Sequence, residues 1–227
     1  MTSPRALAFA SVVVLGTHSV AAQDLSRYRD YTLESSVAAV VKISEARDTD
    51  VKSLHERPAR IQQLEWRPPY ALRGSEGADP VQDIMFRFYN GALYQLLVTY
   101  DRERMEGLTN EDVIASVSAA YGVPSLRPAG ARSVAATEMA ADTTVVARWE
   151  DQSALLTLTR GSYPPQYQLT LTSKTLNGSA RAAIKEAGRL DAKEAPQREL
   201  DQRTKQAADA RVANDKARVT NKAAFRF

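Results

Sequence analysis

The chain has 227 residues, no cysteine and two histidines, with 30 basic against 27 acidic side chains. Disulfides, thiol catalysis and a lipid-bearing N-terminal cysteine are thereby excluded, and zinc or copper centres built from His and Cys have almost no ligands to draw on. A net charge of +3 gives no general reason to expect a nucleic-acid partner.

Arg5 precedes an apolar run from Ala6 to Gly16, and Val20-Ala21-Ala22 supplies small residues before Gln23. This is the three-part plan of a secretory signal peptide cleaved after Ala22. The apolar run is shorter than the roughly 20 residues a membrane-spanning helix needs. Residues 1–22 are therefore read as a removable signal. The remaining 205 residues form an exported chain, periplasmic or secreted, with no transmembrane segment. His18 leaves with the signal, so His55 is the sole histidine of the mature protein.

Residues 23–106 form a first αβββ unit. Leu33, Val37, Val40 and Val41 fall at helical spacing, with Ser35 or Ser36 placed to cap the helix. Residues 44–58 are polar, and His55 reads as part of a surface loop there. Ile61 to Trp66 make a strand ended by Pro68-Pro69, and 70–80 is a loop. Val81 to Tyr100 is a hairpin around Asn90-Gly91. Its register is settled by side-chain size. A three-residue loop, Tyr89-Asn90-Gly91, pairs Phe88 with Ala92 and gathers Ile84, Phe86 and Phe88 with Tyr94, Leu96, Val98 and Tyr100 on one face.

Residues 107–176 form a second αβββ unit. Thr109 and Asp112 resemble a capping box, Leu108 is placed to staple onto Val113, and Val113, Ile114, Val117 and Tyr121 continue the stripe to Gly122 and Pro124. A loop covers 125–142. Strands follow at Thr144–Glu150, Ala154–Thr159 and Gln166–Ser173, with Gly161 to Pro165 as a turn. Tyr94-Gln95-Leu96 and Tyr167-Gln168-Leu169 lie 73 residues apart and mark the two units as copies. The expected fold class is α+β, two αβββ repeats with antiparallel sheet followed by a charged helical extension.

That extension is 177–227. Ser179 is placed to cap a helix to about Ala195 carrying a thin stripe of Ala183, Ile184, Ala187 and Leu190, and Pro196 is expected to break or kink it. Beyond it, Arg198, Arg203, Lys205, Arg211, Lys216, Arg218, Lys222 and Arg226 outnumber Glu199, Asp201, Asp209 and Asp215, about +4 locally. Nothing sustains a heptad. The segment is either a solvated helical extension or a basic arm in weak contact with anionic envelope components.

The chemistry is bounded mainly by exclusion. No spacing calls for a cofactor or a metal, since Gly74-Ser75-Glu76-Gly77 lacks the spacing and the lysine of a phosphate loop. A pair of carboxylates drawn from Glu65, Asp83, Asp101, Glu150 and Asp151 leaves a hydrolase of an envelope or extracellular polymer as the alternative. The favoured reading is a non-catalytic module binding an envelope or extracellular protein, or itself. It rests on the outward positions of the first hairpin, Met85, Arg87, Tyr89, Leu93, Gln95 and Leu97, which are richer in Met, Tyr, Arg and Leu than a wet face requires. The extension docking there through Ile184, Ala187 and Leu190, a protein partner, and a small ligand are the three possible occupants.

The segments Leu33 to Val41 and Leu108 to Pro124, each followed by its strands, resemble the tandem fold of β-lactamase-inhibitor-protein-like proteins. The single unit is similar to the small lipoprotein of the outer-membrane assembly machinery. The resemblance covers roughly 28–175 and implies a protein held against a concave sheet. The absence of a lipidation cysteine and of disulfides departs from it, and the extension has no counterpart in it.

Overall fold

The computed structural model describes residues 24–69, 79–126 and 143–224. The segment 1–22 read as a signal and most of the two long loops expected at 70–80 and 125–142 lie outside these residues.

The elements follow from local chemistry. A small hairpin, β1 (Arg27–Tyr28) and β2 (Tyr31–Thr32), comes first among the described residues and turns with Arg29 at φ 53°. Helix α1 (Val37–Ser44) starts at Ser36, whose hydroxyl accepts the Ala39 N–H at 3.2 Å, and stops where Glu45 enters the left-handed region at φ 53°. Four strands follow where three are expected. These are β3 (Lys52–His55), β4 (Ile61–Trp66), β5 (Val81–Tyr89) and β6 (Ala92–Tyr100). Strand β3 sits at the sheet edge with Lys52, Ser53 and Leu54 exposed, so no apolar alternation marks it. His55 belongs to this strand and not to a surface loop.

Helix α2 (Asn110–Tyr121) opens with a complete capping box. Thr109 Oγ1 accepts the Asp112 N–H at 3.2 Å and Asp112 Oδ2 accepts the Thr109 N–H at 2.9 Å. Gly122, at φ 82°, ends it. Strands β7 (Thr143–Glu150), β8 (Ala154–Gly161) and β9 (Tyr167–Ser173) complete the second half. Helix α3 (Lys174–Ala224) begins directly at the end of β9, earlier than Ser179, with Ser173 Oγ accepting the Leu176 N–H at 3.3 Å. It runs through Pro196 without interruption. Arg198 bridges the proline by donating to the Asp191 carbonyl at 2.9 Å and its carboxylate at 3.2 Å.

The molecule is α+β. One seven-stranded antiparallel sheet has the order β3-β4-β5-β6-β9-β8-β7. The third strand of the second half, β9, meets the last strand of the first half, β6, at its centre, in register from Gln95–Thr172 to Thr99–Gln168. Leu97 opposite Thr170 is the midpoint of that pair. On one face, α1 and α2 bury Val40, Val41, Val113 and Ile114 against Phe86, Phe88, Leu96, Trp149, Leu156 and Leu169. Each fully buried large side chain there contributes about 1.5–3 kcal/mol. No helix among the described residues is long and apolar enough to cross a membrane.

Candidate interaction face

The face of the sheet away from α1 and α2 is built from two cross-strand rows. One runs Glu65, Met85, Leu97, Thr170, Thr157, Arg148 and the other Gln63, Arg87, Gln95, Thr172, Leu155, Glu150. The first row places Met85 beside Leu97. The second is a polar ladder, in which Arg87 Nη1 donates to Gln95 Oε1 at 3.0 Å and Gln95 Nε2 to Thr172 Oγ1 at 3.4 Å. Such bonds hold Arg87 along the sheet, with its stem over the strands.

One of the six expected face residues, Leu93, lies elsewhere. Asn90 (φ 48°) and Gly91 (φ 83°) form a two-residue turn, so Tyr89 pairs with Ala92 and Phe88 with Leu93; Phe88 is not opposite Ala92. The extra residue comes later. Arg87 pairs with Gln95, which leaves Tyr94 as the bulge. Leu93 is therefore fully buried in the main core, and Tyr94, expected inside, is turned to the opposite face. The backbone favours the tight turn because Asn and Gly both tolerate positive φ. Side-chain size alone did not reveal where the compensating bulge falls.

Tyr89 is on the expected face but lies under α3. Together with Tyr94, Ala59 and Ile61 it forms a second apolar cluster against Leu176, Ala180 and Ala183 of the helix. The contact stripe is Ala180, Ala183 and Ala187, all buried, whereas Ile184 is 37 % exposed and Leu190 half-buried. Alanines let the helix axis lie close to the tyrosines, which a larger side chain prevents. Past the alanines the contact becomes polar: His55 Nδ1 lies 3.9 Å from Asp191 Oδ2, and Arg57 pairs with Glu194. What remains open beside the helix is the block of Met85, Arg87, Gln95 and Leu97, all half-buried.

Four of the five acids weighed for hydrolysis, Glu65, Asp101, Glu150 and Asp151, serve the fold. Glu65 pairs with Arg67 at 2.5 Å and Glu150 with Lys174 at 2.7 Å. Asp151 accepts N–H bonds from Ser153 and Ala154, and Asp101 from Glu103 and Arg104. The bond from Lys174 holds the Glu150 carboxyl below its usual range. Burial opposes ionisation of Asp151, but the N–H bonds of Ala154 and Ser153 together outweigh it and leave its carboxyl lowered. A general acid requires the opposite displacement. Among the described residues no group of three or more His, Asp or Glu side chains is placed to hold a metal ion.

A polar cluster unmarked in the sequence lies at the other end of the sheet. Arg29 grips Asp79 with two bonds, 2.5 and 2.8 Å, and stacks 5.2 Å over the Tyr28 ring. Burial pushes the Tyr28 and Tyr100 phenols up, and pushes Tyr121 up to about 12. The phenols stay neutral at physiological pH and the Arg29 charge is matched, so the cluster ties the first hairpin to the start of β5. No local signal marks the pair, which spans 50 residues.

Compared with protein families, with characterised proteins and with solved structures, the chain matches none.

Proposed function

We propose that this chain is an exported, non-catalytic module that binds a protein partner on the outer face of β5 and β6, beside the base of α3. The observation that carries the reading is the open block of Met85, Arg87, Gln95 and Leu97, two apolar and two hydrogen-bonding residues held in fixed register. Met and Arg are enriched at interfaces, and a sheet face with a pre-positioned guanidinium gives both contact area and orientation. The resemblance to tandem αβββ proteins supplies the same mode by analogy and rests on element order alone.

The test uses residues 23–227, the Arg87→Glu variant, and a control variant Lys205→Glu on the far part of α3. All are checked for fold by circular dichroism and offered to the native envelope fraction. A stoichiometric protein partner lost with Arg87→Glu and kept by Lys205→Glu supports the reading. Sedimentation of the purified chain at rising concentration covers the case where the partner is a second copy. A folded Arg87→Glu variant that retains every partner and the same oligomeric state removes this face from consideration.

A further inference from the structure

The projecting part of α3 has a charge arrangement that the binding face does not explain. Residues 197–227 carry eight of the 30 basic side chains and four of the 27 acidic ones, so the other 196 residues are left with one net negative charge. Every residue from 195 to 222 is exposed. Among the described residues the last ion pairs with the body are those of Asp191 and Glu194. At 1.5 Å per residue the exposed stretch is about 42 Å long.

Four of the eight basic residues share one side of that helix. At about 100° per residue, Arg203, Arg211, Arg218 and Lys222 fall within one sector of about 100°, spread over about 28 Å of axis. No acidic residue of the arm falls inside it. Asp201 and Asp209 lie on the other side with Val212, Val219, Lys205 and Lys216, and Asp215 borders the sector about 20° beyond Lys222. Of the four, only Arg203 has an ion-pair partner among the described residues, Glu199 at 2.5 Å.

We infer that this cationic stripe is a second binding surface, for a linear phosphate polymer. Three of its four charges are guanidinium groups, whose forked donors match phosphate oxygens two at a time. An anionic bilayer fits less well. A helix lying in a membrane interface needs an apolar face flanked by its cations, and here the exposed aliphatic side chains larger than Ala are Leu200, Val212 and Val219, with Leu200 about 100° round from the two valines.

The probe is long-chain inorganic polyphosphate, titrated with 23–227 at several salt concentrations. Four neutralised phosphates predict a slope of log affinity on log salt of about −3, using the single-strand value of roughly −0.7 per contact. The double variant Arg211→Gln/Arg218→Gln removes two charges from the stripe and is expected to make the slope shallower by about 1.4 and to weaken low-salt binding at least tenfold. Lys205→Gln/Lys216→Gln removes the same charge from the other side and is expected to change affinity less than threefold. Both pairs lie on the exposed arm, so the body fold is unaffected. Equal losses from the two variants, no binding of polyphosphate, or binding only to phosphatidylglycerol vesicles would each overturn the inference.

Discussion

One helix, α3, is held in two different ways along its length. From Lys174 to Glu194 it is docked. Its first turn is fixed by Ser173 and by Lys174 on Glu150, its alanines lie on Tyr89 and Tyr94, and Asp191 and Glu194 reach His55 and Arg57. From 195 to 222 no side chain is buried. The base has little apolar bulk of its own and is helical because the sheet accepts it. The arm is helical because Ala, Arg, Lys and Gln favour that state and pairs such as Glu199–Arg203 add to it. The boundary falls at Pro196, where the main-chain ladder loses a donor. Docking and propensity thus substitute for one another within a single element, and each can be removed without the other.

The largest way to sharpen that contrast acts at the boundary. Pro196→Ala restores the missing donor and removes a residue that costs up to about 3 kcal/mol in a helix interior. It is expected to raise the helical circular dichroism signal while leaving the urea midpoint of the body unchanged. Next comes Ala180→Leu, which forces a larger side chain between α3 and Tyr94 and is expected to cost about 1–3 kcal/mol in urea unfolding. Ala210→Leu on the arm is expected to stay within about 0.5 kcal/mol of the parent. A smaller effect belongs to α2, where Thr109→Ala removes half of the capping box and is expected to cost about 1 kcal/mol.

The smallest effect is pH-dependent. The hydrogen bond from Arg57 holds the Glu194 carboxyl below its usual range. A carboxyl lowered in the folded state stabilises docking above its ordinary pKa and loses that contribution as pH falls through the lowered value. Acidification is therefore expected to loosen the end of the base first, and Arg57→Ala to abolish that acid response. The comparison is made by following the amide resonances of 188–194 from pH 6 to pH 2.

The same contrast between local and non-local causes explains what could be read in the sequence. Alternation placed β5, β6, β8 and β9, and the spacing of Thr109 and Asp112 gave α2 with its cap, because both signals are contained within a few neighbouring residues. Strand β3 was invisible because an edge strand with three exposed residues has no pattern. The bulge at Tyr94 was misplaced into the turn, so Leu93 was assigned to the wrong face; its position depends on how β6 also meets β9 and α3. The docking stripe is expected with Ile184 and Leu190 where the structure has Ala180 and Ala183, because apolar size suggests the larger residues while close approach to two tyrosines selects the alanines. Arg29 and Asp79 meet only through the fold.

Hydrogen exchange along α3 in the intact 23–227 chain tests the division most directly, because local opening energies follow tertiary contact. The amides of 178–190 are expected to exchange slowly, with the core strands, and those of 200–222 at rates near those of an isolated helical peptide. Uniform protection along the whole helix would show that the arm is covered, and uniform fast exchange would show that the base is not docked; either result contradicts the account.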